Sequence, residues 1–274
     1  MTETVLWRAA EINKVYGSTL PENWVATGLS IDTRTLQAGD LFFALEGEAS
    51  DGHDYALQAI EKGAAAIVIS KPVDGVPAEK IIKVENVLKA MEHLGTQRRQ
   101  DVSIKAFGVT GSVGKTGTKE MLAHALNCFG KTHATIKSYN NHIGVPFMLS
   151  TMPRETQFGV FEMGMNHAGE ITPLTKMVKP DIAIITTVGA VHMEFFDSVQ
   201  KIADAKAEIF AGLGKGGIAV LNADNDYFDY LKGRAEHYNV AEVYSFGEDK
   251  NADACLESHS VKDAVAHVSA DIMG

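Results

Sequence analysis

Cysteine is nearly missing: the 274 residues hold only Cys128 and Cys255, far apart and outside any CxxC spacing. That rules out a disulfide scaffold and a thiolate zinc site, and it fits a reducing, cytoplasmic setting. No run approaches the ~18 uncharged apolar residues of a membrane-crossing helix. The opening MTETVLWRAAEINK has no apolar core of a secretory signal. Neither a membrane span nor export is expected. Positive charge is also in short supply. Lys and Arg total 25 against 35 for Asp and Glu, a formal charge of −10, which leaves no overall electrostatic footprint for nucleic acid. Internal repeats and low-complexity tracts are absent too.

What is present suits a globular chain. A hydrophobic content of 45% over this length builds a sizeable core, with two domains as the expectation. Residues 1–92 read as a small mixed α/β domain. A short helix is expected over 4–15, a strand over Leu41–Leu45, a helix closed by Gly63, and strands in AAIVIS and EKIIKVEN. The polar stretch 92–103 reads as a helix end and a boundary. From 103 to 274 strands and helices alternate: IKAFGVTG, then a helix with Met121, Leu122, Ala125 and Leu126 on one face, then strands near 158–163, 182–188, 217–221 and 241–246. The fold class is therefore α/β, the second domain being a mostly parallel sheet of P-loop NTPase type with ligands at the carboxyl ends of its strands. SVKDAVAHVSA near the end reads as an unfinished strand or a hairpin.

The sharpest signal is Gly108-Val109-Thr110-Gly111-Ser112-Val113-Gly114-Lys115-Thr116. A strict phosphate loop has Gly at 109, where this chain has Val; glycines fall at 108, 111 and 114 instead. The design survives. Glycines let backbone N–H groups turn toward phosphate oxygens, Lys115 reaches the β- and γ-phosphates, and the Thr116 hydroxyl ligates Mg²⁺. The helix that starts here aims its positive end at the same place. Gly111, Ser112, Val113, Gly114, Lys115 and Thr116 are the expected ATP-binding segment.

Other candidates are weaker alone. Glu162, between an apolar strand and Gly164, is either a metal-directed carboxylate or an ordinary strand-end acid. His192, just past IAIITTVGAV, reads as a metal ligand or a loop histidine. Lys206 sits in a helical pattern, where surface pairing is the plain reading. Asn140 and Asn141 bind a polar ligand or cap a helix. The LNADNDYFDY turn, with Asn222 and Asp224, faces a base or starts a helix.

Taken in order, DTRTLQAGDLFFALEGEASDGHDY, GVTGSVGKTGTKEML, NNHIGVP, FEMGMNHAGEI, TTVGAVHMEFF, IADAKAEIF and LNADNDYFDYL resemble the Mur ligase family over nearly the whole chain. The Asn140-Asn141 pair favours the branch that uses D-alanyl-D-alanine over relatives with Thr-Thr-Pro at that point. The resemblance implies an ATP- and Mg²⁺-dependent ligase whose partners are UDP-N-acetylmuramoyl-tripeptide and D-alanyl-D-alanine, working through an acyl phosphate. It assigns Lys115, Thr116 and Thr118 to the ATP phosphates, Glu162 to one Mg²⁺ and His192 to a second. Lys206 becomes the family's carbamylated lysine. Asn222 and Asp224 go to the adenine, Asn140 and Asn141 to the muramoyl peptide, and Asp32, Thr33 and Arg34 to the UDP end. Gly117 stands where many relatives carry Ser or Thr. Family members have three domains; the expectation is that this chain covers the first and part or most of the central one, and is weakly active or inactive alone. The alternatives are another Mur or folylpolyglutamate-type ligase, or a non-catalytic nucleotide- or UDP-sugar-binding module. A GTPase lacks support, since no Asn-Lys-x-Asp segment is present.

Overall fold

The computed structural model describes residues 5–47, 50–191 and 193–273. The chain divides into two compact units, residues 1–103 with 146–155, and residues 104–145 with 156–274.

In the first unit, β1 (Trp7–Arg8) precedes α1 (Ala9–Tyr16), which ends on Gly17 in the left-handed region. The expected helix over 4–15 thus begins late, because Trp7 and Arg8 pair antiparallel with β2 (Val25–Ala26). A parallel four-stranded sheet follows: β3 (Gly28–Ser30), β4 (Asp40–Phe43), β5 (Ala66–Ile69) and β6 (Ile81–Lys83), in that spatial order. Between β4 and β5 runs α2 (Ala56–Glu61). Phe42, Ala59, Ile67 and Ile69 form the core beneath it. The fifteen residues of α3 (Val87–Asp101) start at Asn86, whose side chain accepts from Lys89 N–H. The polar stretch after residue 92 is the body and end of this helix, and the unit closes at Ser103.

The second unit opens with β7 (Lys105–Thr110), the phosphate loop and α4 (Lys115–Asn127). Then come β8 (Thr132–Ala134), α5 (Gly144–Ser150, of which residues from Pro146 group with the first unit), β9 (Phe158–Glu162) and α6 (Ile171–Val178). The rest comprises β10 (Ile182–Ile185), α7 (Val199–Ala207), β11 (Ile218–Asn222), α8 (Phe228–His237), β12 (Glu242–Gly247), β13 (Ala254–Lys262) and β14 (Val265–Ile272). The sheet order is β14-β13-β12-β11-β10-β7-β9-β8, parallel except for the β13–β14 pair. The terminal segment is a hairpin, turned at Asp263 and Ala264, both at positive φ.

Chain order breaks at β7, which lies between β9 and β10. That break opens a crevice at the carboxyl ends, where ligands of such sheets bind. The expected inner face of α4 needs correcting. Val109 and Val160 pack on Ala123, Leu122 and Leu126, while Met121 is 69% exposed and Ala125 points outward. The inner stripe runs 119, 122, 123, 126, one position round from the stripe expected. Strand β10 is also shorter than expected; after a last rung at Thr186, residues 187–189 leave the ladder for the phosphate loop.

Candidate functional site

The loop between β7 and α4 has the geometry its glycines allow. Gly111 and Gly114 adopt φ of +151° and +87°, values a side chain resists. Gly114 is the N-cap of α4, and Thr118 N–H closes the first helical turn on Gly114 O at 2.9 Å. Val113 is 67% exposed at the tip. Ser112 N–H donates to Thr187 O, and the Ser112 hydroxyl both accepts from Gly189 N–H at 2.9 Å and lies 3.1 Å from Gly189 O. At Gly117 a Cβ would meet nothing within 4 Å.

Glu162 stands at the carboxyl end of β9, adjacent to β7, and is 2% exposed. The Thr116 hydroxyl donates to its Oε2 at 3.1 Å, and Asn140 Nδ2 donates to its Oε1 at 2.8 Å. Its own N–H donates to Thr135 Oγ1 at 3.0 Å. A buried carboxylate is thus aimed across the loop with one hydroxyl and one amide beside it. Asn141 acts differently: its Oδ1 accepts from Ile143 and Gly144 N–H at 3.1 and 2.9 Å and caps α5.

Lys115 bends over the loop and donates to Gly111 O at 2.8 Å. Burial lowers its pKa, and Glu162 opposes that shift. Lys206, on α7, is 3% exposed, and its side-chain amine has no hydrogen bond or ion pair among the described residues. Burial, with repulsion from Lys115, brings its pKa down to about 7. Such an amine is largely neutral and nucleophilic just above neutral pH. Thr110 Oγ1, at the end of β7, is buried without a hydrogen-bond partner.

Asn222 Nδ2 donates to Thr186 O at 3.2 Å, which ties β11 to the segment after β10. The Asp224 carboxylate accepts from Glu248 and Asp249 N–H at 2.8–3.0 Å, so it braces the loop after β12. Asp32, Thr33 and Arg34 belong to the first unit, just past β3. Arg34 is paired to Asp32 through Nε and Nη2, Asp32 Oδ1 also accepts Arg34 N–H, and Thr33 donates to Gln58 Oε1 at 2.7 Å. His192 lies outside the described residues.

Sequence reasoning missed several groups. Thr186 donates to Val113 O at 2.6 Å. Asn225 Nδ2 holds Thr187 Oγ1 and Val188 O at 2.9 and 2.8 Å. Glu208, two residues beyond Lys206, accepts from Gly169 N–H, Thr172 N–H and the Thr172 hydroxyl, and so fixes the turn into α6. In AKAEIF the acid two residues past the lysine is the available signal. In the first unit, Glu46, Asp51 and His53 offer ligand atoms within 4.8 Å of one another. Lys71 already bridges Glu46 and Asp51 at 3.1 and 2.9 Å, and His53 Nε2 accepts Ser70 N–H, so the cluster's ligand atoms are already partnered within the protein.

A family model described as the Mur ligase middle domain matches residues 109–273, and one described as the Mur ligase family, catalytic domain, matches residues 25–99. The chain is 36% identical over 252 residues to the UDP-N-acetylmuramoyl-tripeptide–D-alanyl-D-alanine ligase of Rickettsia prowazekii, covering 92% of this chain and 56% of that protein. It is 41% identical to the Escherichia coli ligase of the same name over 72% of this chain and 43% of that one. A crystal structure of MurF from Acinetobacter baumannii superposes with a TM-score of 0.84 at 30% identity, over 97% of this chain and 58% of the other. MurF from Thermotoga maritima in complex with ADP gives 0.76 at 28% identity, over 90% and 56%. The chain spans about half the length of the curated relatives it matches.

Proposed function

The chain belongs to the Mur ligase family, and on that premise we propose that it carries the ATP site and muramoyl-peptide elements of a cytoplasmic ligase that joins D-alanyl-D-alanine to UDP-N-acetylmuramoyl-tripeptide for peptidoglycan synthesis. Among the described residues no helix is long and apolar enough to cross a membrane.

The observation that carries the reading is the contact of Thr116 with Glu162 at 3.1 Å, at the mouth of a glycine loop and beside a helix N-terminus. Hydroxyl and carboxylate oxygens suit Mg²⁺, a hard cation, so Thr116 and Glu162 would hold the ion that accompanies ATP. When bound, Mg²⁺ offsets negative charge on the β- and γ-phosphates. Lys115 leaves Gly111 O for the phosphates, and the loop N–H groups neutralise the transferred group. The tripeptide's terminal carboxylate attacks the γ-phosphorus, ADP leaves, and an acyl phosphate results. The amine of D-alanyl-D-alanine attacks the acyl carbon, and the tetrahedral adduct expels phosphate. No protein nucleophile takes part; alignment and charge are the protein's contribution.

Asn140 steers Glu162 through its hydrogen bond and is assigned, with Asn141, to the muramoyl-peptide side. Asn222 and Asp224 are assigned to the adenine side, and Asp32, Thr33 and Arg34 to the UDP end. Lys206 gains a role from its lowered pKa: the neutral amine adds to CO₂, forming an N–C bond and releasing one proton. The carbamate anion, with His192, would hold a second Mg²⁺.

The test is ATP titration by calorimetry with and without Mg²⁺, followed by phosphate release with UDP-N-acetylmuramoyl-tripeptide, with and without D-alanyl-D-alanine. Mg²⁺-dependent ATP binding is the expected result, with any phosphate release requiring both co-substrates. A chain that binds no ATP, or releases phosphate without regard to the co-substrates, sinks the proposal.

A further inference from the structure

Strand β10 ends at Ile185, and the next residue turns its side chain into the phosphate loop. Thr186 is 8% exposed. Its N–H donates to Thr110 O at 3.0 Å, one more rung of the β7–β10 ladder. Its hydroxyl lies 2.6 Å from Val113 O and 3.3 Å from Thr110 O. A hydroxyl has one proton, and the shorter contact takes it.

That bond sets a peptide plane. In a trans peptide the C=O and the following N–H point in opposite directions. With Val113 C=O drawn to Thr186, the Gly114 N–H must face away from Thr186. Gly114 caps α4 in the left-handed region, so this N–H belongs to the helix end that faces an anion. The fit around the hydroxyl is close. A Cβ on Gly111 would sit 1.9 Å from Thr186 Oγ1, and one on Gly114 would sit 3.7 Å from Thr186 Cβ. Two of the loop's glycines therefore wrap this one threonine.

The segment that bears Thr186 is itself held from the other side. Asn222 Nδ2 reaches Thr186 O, and Asn225 Nδ2 reaches Thr187 Oγ1 and Val188 O. The threonine is thus a fixed post against which the loop is set.

We propose that Thr186 is a positioning residue for phosphate binding: its hydroxyl fixes the Val113–Gly114 peptide so that Gly114 N–H is presented to the nucleotide's phosphates. It acts through the loop and needs no contact with ATP. The inference rests on the phosphate-loop reading above.

The test separates hydroxyl from shape and phosphate from base. Thr186→Val keeps the branched shape and deletes the donor; Thr186→Ser keeps the donor and deletes the methyl. Each is titrated with Mg-ATP and with adenosine, which has no phosphate. Thr186→Val should weaken Mg-ATP by about tenfold, as the loss of one well-made hydrogen bond allows, and leave adenosine unchanged. Thr186→Ser should stay within about threefold of the parent. Should Thr186→Val not fold, Thr186→Ala against Thr186→Ser makes the same comparison of a hydroxyl present or absent. Parental ATP affinity in the donor-free variant overturns the proposal. Equal losses for ATP and adenosine overturn it as well, as does a Ser variant no better than Val. If the parent binds adenosine but not ATP, the phosphate-loop reading has failed and takes this inference with it.

Discussion

The Thr116 hydroxyl donates to Oε2 of Glu162 at 3.1 Å, so the two groups assigned to one magnesium ion already face each other across the phosphate loop. One comes from the start of α4 and the other from the end of β9. Their meeting depends on β7 and β9 being parallel neighbours, with Val109 opposite Glu162.

Glu162→Gln preserves the shape of that contact and removes the charge. Mg-ATP affinity should fall by roughly 10²-fold, since charge stabilisation of this kind is worth a few kcal/mol. Metal-free ATP should bind as well as before or better, because a nearby negative charge has gone. Calorimetry with Mg²⁺ and with EDTA checks both halves, and equal losses in the two conditions would contradict the assignment.

Lys206 should make stability depend on pH. Its folded pKa is about 7 and its ordinary value is 10.5. Between these the unfolded chain binds the extra proton, so stability rises with pH across that window and the penalty for burying the charge is largest below about 7. Lys206→Met should flatten the rise and raise the melting temperature at pH 6. The carbonyl signal expected from ¹³C-bicarbonate at alkaline pH should disappear in the same variant. A parent and a variant with superimposable stability profiles would refute the first expectation.

Gly111 and Gly117 should respond oppositely to alanine. Gly111→Ala places a Cβ 1.9 Å from Thr186 Oγ1 at a φ of +151°, and should abolish ATP binding or folding. Gly117→Ala meets open space inside α4 and should stabilise the protein by about 0.5–1 kcal/mol. Chemical denaturation of both variants is the measurement.

Gly95→Ala should destabilise the first unit by roughly 1–3 kcal/mol. A Cβ there would lie 2.8 Å from Pro146 O and 3.0 Å from Leu149 Cβ. The same substitution at Gly233, where nothing lies within 4 Å, serves as the control, and urea midpoints should move in opposite directions.

The phosphate loop could be read directly because its parts are contiguous, and local glycine chemistry fixes its shape. Glu162 was legible as an acid at a strand end. Thr186 was not, since a threonine after an apolar strand carries no local signature. Its function arises when parallel pairing of β10 with β7 sets it against Val113. The face of α4 was misjudged because Leu122 and Leu126 belong to either of two overlapping stripes; packing on Val109 and Val160 chose the one through Ala123. The burial of Lys206 was hidden too, because an IxxAKAxI pattern leaves open which way the lysine points.

One segment has a meaning for inheritance. Pro146–Glu155 is drawn from the middle of the chain, yet it supplies Ser150 O to the Trp7 indole at 2.9 Å and Arg154 to Glu11. A single crossover at the Ser103–Ile104 junction would therefore deliver the first unit without those partners. Recombination between relatives has to transfer two separated stretches of gene to move that unit whole.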